Sequence, residues 1–322
     1  MKKIAILNTS INSYNMGDYI IVESAKKQLN DIIKDSFVID MPTHTPAFHT
    51  YEMLSKNKRK RVLDFKEKFV CGTNILNNDM LFHRPVWNIN LLESLFLKDC
   101  ILMAVGCGKM TGKTNLYTKL VLSNVLSKNY IHSTRDEKAK KFLEGLGFKA
   151  INTGCCTMWD LTPEHCSNIP TIKKDKVVFT LTDYCKDIER DQKLIDILNK
   201  NYEEVYFWIQ GSNDLEYFSK FKNIENIKLI NPQLKYYNDF LEKNDCDYVG
   251  TRLHAGIKAM QKLKRSIIIV VDNRARSIKE DYNINCIERN KIDELDGMIN
   301  SEIKTSLKID FDAIEQWKKQ FK

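Results

Sequence analysis

The strongest constraint on this chain is an alternation: short apolar runs recur along it, and each is followed by a stretch with helical spacing. Parallel strands cannot be joined by a tight turn, so a strand–helix–strand rhythm is the sequence mark of a parallel α/β sheet. The first series predicts strands over residues 3–7, 37–40, 68–70, 100–105, 130–133 and 150–152. Helices are predicted over 19–30, part of 51–63, 87–96, 115–126 and 137–146. The last of these has a capping-box spacing at its start, from Ser133 to Asp136 and Glu137, and Gly145 and Gly147 as left-handed terminators. Arg135 is then expected in the helix's first turn, where a cation opposes the macrodipole at a cost of a few tenths of a kcal/mol. An anionic partner would remove that cost.

Residues 162–176 hold two prolines among polar residues and read as a boundary. A second series follows, with strands over 176–182, 204–210, 227–230, 248–250 and 266–271. Helices are predicted over 190–199, 214–221, 233–243, 254–263 and 311–321. A chain of 322 residues exceeds one comfortable core. The expectation is an α/β protein of two Rossmann-like domains, residues 1–168 and 169–305, with 306–322 as a helix packing back on the first. This is a GT-B-like arrangement, with its active site expected in an interdomain cleft.

Composition narrows the function classes. Hydrophobic residues make up 43% and charged residues 29%, which fits a folded globular chain. No apolar stretch approaches the roughly 20 residues a membrane helix needs. The apolar run at residues 4–7 ends at Asn8-Thr9-Ser10, so it reads as a first strand and not a leader. The expected location is the cytoplasm. Nine scattered cysteines form no framework and read as reduced thiols. Cys155, Cys156, His165 and Cys166 lack a second CxxC-like pair, so no metal is expected. The net charge of +8, with the run from Lys56 to Arg61, reads first as a solvated helix end, then as attraction for anionic substrates or a peripheral membrane face. No aromatic–basic module accompanies it, so nucleic acid is not expected as a partner.

The chemistry-bearing motifs sit where predicted strands end. Asn15-Met16-Gly17-Asp18 follows the first strand and opens a helix, a ready anion site in which Asp18 can also serve as N-cap. It is not the dinucleotide fingerprint. Cys71-Gly72-Thr73-Asn74, with Phe82-His83-Arg84-Pro85 beyond it, and Gly106-Cys107-Gly108-Lys109 follow two more strands. Each is weak alone, but carboxyl ends of parallel strands are where open α/β sheets bind ligands. The most pointed block is Gly250-Thr251-Arg252-Leu253-His254-Ala255-Gly256. Arginine offers a forked clamp for carboxylate or phosphate, histidine moves protons near neutral pH, and helix amides add to the pull on an anion.

These blocks resemble the polysaccharide pyruvyl transferase family. The resemblance rests on Asn15-Met16-Gly17-Asp18, Ser133-Thr134-Arg135-Asp136 with Leu146-Gly147, and Thr251-Arg252-Leu253-His254-Ala255 running into Asp272-Asn273-Arg274. Thr153 to Trp159 and Leu161 to Cys166 look like the signature of one branch, with Cys156 in place of a proline. Gly72-Thr73-Asn74 stands where many relatives have a run of glycines, which points to an altered acceptor pocket. The resemblance implies a GT-B-like fold, no cofactor and no metal. It implies transfer of the pyruvyl group of phosphoenolpyruvate to a sugar of a polysaccharide or its precursor, as a ketal, with release of phosphate.

By matched position it implies Asp18, Arg135, Arg252 and His254 at the active site, with His83 placed by spacing alone. His254 would supply the acid and Asp18 or His83 the base, and the reverse division fits equally. Arg135 and Arg252 would hold carboxylate and phosphate, while Asn15, Gly17, Gly72, Asn74, Gly106 and Gly108 would line the substrates. The acceptor, whether free, nucleotide-linked or lipid-linked, stays open. The competing readings are a GT-B glycosyltransferase using a nucleotide sugar and a non-catalytic sugar-binding or scaffold protein of polysaccharide assembly.

Overall fold

A computed structural model describes residues 1–83, 86–108, 110, 112–271 and 281–322. The chain divides into two compact units. Unit 1 comprises Met1–Ser13, Ile21–Trp159 and Asp310–Lys322; unit 2 comprises Tyr14–Ile20 and Asp160–Ile309. The proline-bearing stretch after residue 162 lies inside unit 2, and so does the segment that begins the first helix.

In chain order, unit 1 carries β1 (Lys2–Asn8), most of α1 (Met16–Ile33), β2 (Ser36–Pro42), α2 (Lys56–Leu63), β3 (Glu67–Cys71) and α3 (Leu91–Ser94). Then come β4 (Cys100–Met103), α4 (Leu116–Val125), β5 (His132–Thr134), α5 (Glu137–Glu144) and β6 (Ala150–Asn152). Four strands form a parallel sheet in the order β2-β1-β3-β4, and β5-β6 form a parallel pair. A single bridge, Val105 to Thr134, and hydrogen bonds from Leu102 N and Ala104 N to the side chains of His132 and Ser133 join β4 to β5. The connection order reverses between β1 and β3, the switch point where such sheets leave a crevice. The helix predicted over 87–96 shrinks to α3, because Asn90 caps it with a full capping box and the chain before it is extended. Asp136, not Ser133, is the N-cap of α5, its Oδ1 accepting from Ala139 N at 2.8 Å. Arg135 therefore precedes the helix, and the dipole penalty expected for it does not arise. Gly145 keeps right-handed geometry at φ −63°; Gly147, at φ +86°, is the left-handed terminator.

Unit 2 runs α6 (Pro163–Ser167), β7 (Lys176–Thr180), α7 (Ile188–Asn201), β8 (Glu204–Trp208), α8 (Asp214–Phe218) and β9 (Lys228–Ile230). It continues with α9 (Leu234–Lys243), β10 (Asp247–Gly250), α10 (Leu253–Gln261), β11 (Ser266–Val270), β12 (Cys286–Glu288) and α11 (Leu295–Ile299). All six strands are parallel in the order β12-β11-β10-β7-β8-β9. Counted from β7, this is the doubly wound 3-2-1-4-5-6 order, and its switch point lies between β7 and β10. Strand β12 and helices α6 and α11 are additions to the sequence-based reading. The two elements that flank this switch point, β7 and β10, are buried along almost their whole length, as strands covered on both faces must be.

The C-terminal helix α12 (Phe311–Lys319) belongs to unit 1. Its Trp317 is fully buried, edge-on to Phe69 of β3 and to Trp159, and its Nε1 donates to Ile131 O at 2.9 Å.

Candidate active site

In unit 2 the site is built on the switch point. Thr251 N donates to Thr180 O at 3.1 Å, and the Thr182 and Thr251 hydroxyls meet at 2.8 Å, so the segments leaving β7 and β10 are stitched together. Tyr248, fully buried in β10, donates from its hydroxyl to Arg252 O at 2.7 Å. Arg252 is the N-cap residue of α10, and no side chain caps that helix. By contrast α4, α5, α6, α7 and α12 are each capped by their own Asn, Asp or Thr side chain. An N-terminus without such a cap presents amides and the positive end of the dipole to whatever anion reaches it.

The Arg252 side chain is buried and heavily engaged. Its Nε donates to Leu181 O at 2.9 Å, and its Nη2 donates to Asp183 Oδ1 at 2.7 Å and to Asp214 Oδ1. The ring of Tyr184 lies 5.0 Å from the guanidinium. The forked clamp expected for a ligand is thus turned in large part toward two protein carboxylates, and only Nη1 lacks a protein acceptor among the described residues. Asp214 is fully buried. Burial pushes its carboxyl up, against the pull of Arg252 and of the Gly211 amide, which donates to Oδ2 at 2.6 Å.

The Asn15 loop belongs to the same unit. Asn15 Oδ1 accepts from Gly17 N at 3.0 Å and from Gln210 Nε2 at 2.9 Å, and Met16 N donates to Gln210 O at 2.9 Å. Asn15, not Asp18, thus caps the start of α1, and Asp18 is a buried carboxylate in its first turn, on the favourable side of the dipole. His254 is the second residue of α10, and it too is buried. Asn15, Gly17, Asp18, Arg252 and His254 therefore share unit 2, and Asn15, Gly17 and Arg252 stand against a strand end, Gln210-Gly211, that sequence reasoning passed over. The readable signal was a glycine after a predicted strand with Asp214 three residues on.

The second cluster lies in unit 1. Arg135, buried, follows β5 and donates from Nη2 to Asn74 Oδ1 just beyond β3, while its backbone N donates to Val105 O at 2.8 Å. Gly106 makes room for the pair: a Cβ there would stand 2.6 Å from Asn74 Oδ1 and 2.7 Å from Arg135 Nη2. Gly72 turns with φ +65°, where only glycine is at ease, and an added Cβ would run into Ile21. Gly108 N donates to Leu76 O at 2.8 Å. So Gly72, Asn74, Gly106, Gly108 and Arg135 gather at the ends of β3, β4 and β5. His83 does not join them; it lies on an exposed turn, 3.4 Å from Asp79.

Cys107 is pushed up to about 12 by burial, which removes it as a nucleophile. Cys155 and Cys156 lie in unit 1, while His165 and Cys166 lie in unit 2, with His165 Nε2 bonded to Met260 O and Cys166 Sγ to Leu161 O. Among the described residues no group of three or more His, Cys, Asp or Glu side chains is arranged to hold a metal ion. The motif residues Arg84, Pro85, Lys109, Asp272, Asn273 and Arg274 lie outside the described residues.

The family model of polysaccharide pyruvyl transferases matches residues 15–273. Among solved structures, the UDP-GlcNAc 2-epimerase of Methanocaldococcus jannaschii, solved with UDP-GlcNAc and UDP, is 15% identical, with 99% of each chain covered and a TM-score of 0.52. A UDP-N-acetylglucosamine 2-epimerase assignment from Listeria monocytogenes is 13% identical over 99% of this chain and 90% of that one, also with a TM-score of 0.52. These are GT-B-type folds, and at such identity they show the fold alone. No curated protein matches the chain.

Proposed function

Because the chain belongs to the polysaccharide pyruvyl transferase family, we propose that it moves the pyruvyl group of phosphoenolpyruvate onto two hydroxyls of a sugar, forming a ketal and releasing phosphate. The observation that carries this reading is the start of α10: a helix N-terminus with no side-chain cap, Arg252 at the cap position and His254 in the first turn, at the switch point of the sheet. An anion there meets backbone amides, the macrodipole and Arg252 Nη1 together. The donor brings such an anion in its phosphate and another in its carboxylate. Arg135, fixed by Asn74, is the second cation proposed to meet an anionic group of the substrates.

The reaction needs one proton delivered to carbon and two removed from oxygen. Protonation of the donor's methylene C3 makes C2 electrophilic, and a sugar hydroxyl adds to C2 and gives up its proton. Phosphate then leaves with the C2–O bonding pair, and a second hydroxyl adds and loses its proton. One of those two protons replaces the one spent on C3; the other leaves with phosphate. His254 is proposed for the delivery and Asp18, in the first turn of α1, for the removal. His83 remains a second candidate base. Arg252 and the α10 amides stabilise the charge on the departing phosphate. A lipid-linked acceptor would place this work at the inner face of a membrane; a nucleotide-linked or free acceptor would not.

The test is mass spectrometry of a panel of free, nucleotide-linked and lipid-linked sugars incubated with the protein and phosphoenolpyruvate in deuterated water. The expected product is a sugar ketal with one deuterium in its methyl group, formed mole for mole with phosphate. Consumption of a nucleotide sugar with phosphoenolpyruvate untouched would instead identify a glycosyltransferase.

A further inference from the structure

One outer face of unit 1 is built against the usual rule for a surface helix. Val62 of α2 and Val121, Leu122 and Val125 of α4 enter one core with residues of β1, β3 and β4, so both helices cover the same side of the sheet. Helix α3 is tied to α4, since Leu91 N donates to Tyr117 Oη at 3.0 Å and Asn124 Nδ2 to Ser94 Oγ at 3.1 Å. The turn before them is tied to α4 as well, through Asn115 Nδ2 to Asp79 Oδ1 at 2.7 Å and Met80 N to Thr118 Oγ1 at 2.8 Å.

The inward side of α4 is apolar, as it should be, but its outward side carries two leucines as well as Lys119 and Ser123. Leu116 is 72% exposed and Leu120, one turn on, 45%. Beside them stand Leu92 at 55% on α3 and Phe82 at 78% on the tied turn. An amphipathic helix ordinarily gives water its polar stripe, and a cluster of large exposed apolar side chains marks an interaction surface.

Lysines stand beside the cluster, with Asp79 the carboxylate of the tied turn, and α2 adds a basic stripe on the same side of the sheet. Lys119 sits between Leu116 and Leu120 on the exposed side of α4, and Lys113 is exposed just before the helix. Helix α2, with the sequence KNKRKRVL, holds five basic residues and no carboxylate; of these Lys58 is paired with Glu52. Lys56, Lys60 and exposed Leu63 follow the one-turn spacing that aligns them on a single stripe.

We infer that this face of unit 1 docks on an anionic lipid bilayer, the exposed leucines and Phe82 entering the boundary between headgroups and acyl chains while the lysines and arginines lie against the headgroups. Apolar insertion together with a basic surround is what such an interface recognises. A second copy of the chain fits less well, because a two-fold contact through the same patch sets its cations against their own counterparts. A polyanion such as nucleic acid would use the cations and leave the leucines in water. The surface uses no residue assigned to either arginine cluster, so its test is separate from that of the pyruvyl-transfer reading.

The experiment is vesicle flotation of the full chain with phosphatidylcholine alone or mixed with phosphatidylglycerol, at low and high salt. Two variants accompany it: Leu116→Ser with Leu120→Ser, and Lys56→Glu with Lys60→Glu and Arg61→Glu. All five side chains are exposed, and an unchanged melting temperature establishes that each variant is folded. The expected result is partition of the wild type onto the anionic vesicles, at least tenfold weaker on neutral ones and at least tenfold weaker in either variant. A wild type that stays off anionic vesicles overturns the inference. So does binding that the leucine variant leaves intact, or a dimer in sedimentation that the leucine variant dissolves.

Discussion

His132 stands where a strand-to-strand ladder would otherwise run. Its Nδ1 accepts from Leu102 N at 3.2 Å, so its Nε2 carries the proton and donates to Ser127 O at 2.9 Å, with the ring edge-on to Phe148. Only the neutral imidazole satisfies both contacts, and burial lowers the group from 6.5 to about 4. The unfolded chain therefore takes up this proton first as the pH falls. The stability tied to His132 is complete above about pH 6.5, declines between there and about pH 4, and amounts to roughly 3 kcal/mol in all. Urea unfolding across that range should show the decline in wild type, and His132→Gln should flatten it; an equally steep decline in the variant would place the acid sensitivity elsewhere. None of this was legible in the sequence, where His132 is one residue of a short predicted strand. The motif residues were legible because each ends a strand, but their pairings were not. Arg135 meets Asn74 from 61 positions away, and Gln210 meets Asn15 from 195. The same limit hid the engagement of Arg252, since nothing in Thr251-Arg252-Leu253-His254 announces Asp183 and Asp214.

Elements followed the sequence where hydrophobic period and caps agreed. Strand β7 stood out through its apolar run Val177-Val178-Phe179, and β10 through Tyr248-Val249 before a glycine; both are buried almost throughout. Strand β12 has three residues and only one fully buried among them, too short a signal for any period to register. Helix α6 was readable in principle: Thr162 accepts from His165 N at 3.1 Å, with Pro163 at the first helical position, the usual cap-then-proline start. In the sequence those prolines read instead as a domain boundary. Helix α12 was predicted by its pattern, and its weight in unit 1 rests on Trp317, which is fully buried against Phe69, Trp159 and Phe321. Trp317→Ala removes that packing and leaves Ile131 O without its indole donor, so it should cost about 3–5 kcal/mol. Calorimetry should find the loss in the transition that carries unit 1; a variant melting with the wild type would mean that α12 only rests on the unit.

At the scale of the molecule, two open parallel sheets each gather their polar motif residues at the carboxyl ends of their strands. The two switch points differ in what they offer. Unit 1 holds Arg135 with the carboxamide of Asn74 and with Asp136, whose Oδ2 lies 4.0 Å from its Nε; unit 2 surrounds Arg252 with Asp183 and Asp214 and sets it at the start of α10. Among the described residues no helix is long and apolar enough to cross a membrane. The central claim, that phosphoenolpyruvate is the donor and that Arg252 and α10 receive it, is tested most directly by thermal unfolding of wild type and Arg252→Gln, each with and without phosphoenolpyruvate and, separately, a UDP-sugar. Donor at a hundred times its dissociation constant adds about 2.7 kcal/mol, so wild type should melt several degrees higher with phosphoenolpyruvate and the variant should gain nothing. An equal gain in the variant, or a gain in wild type with the UDP-sugar alone, would contradict the account.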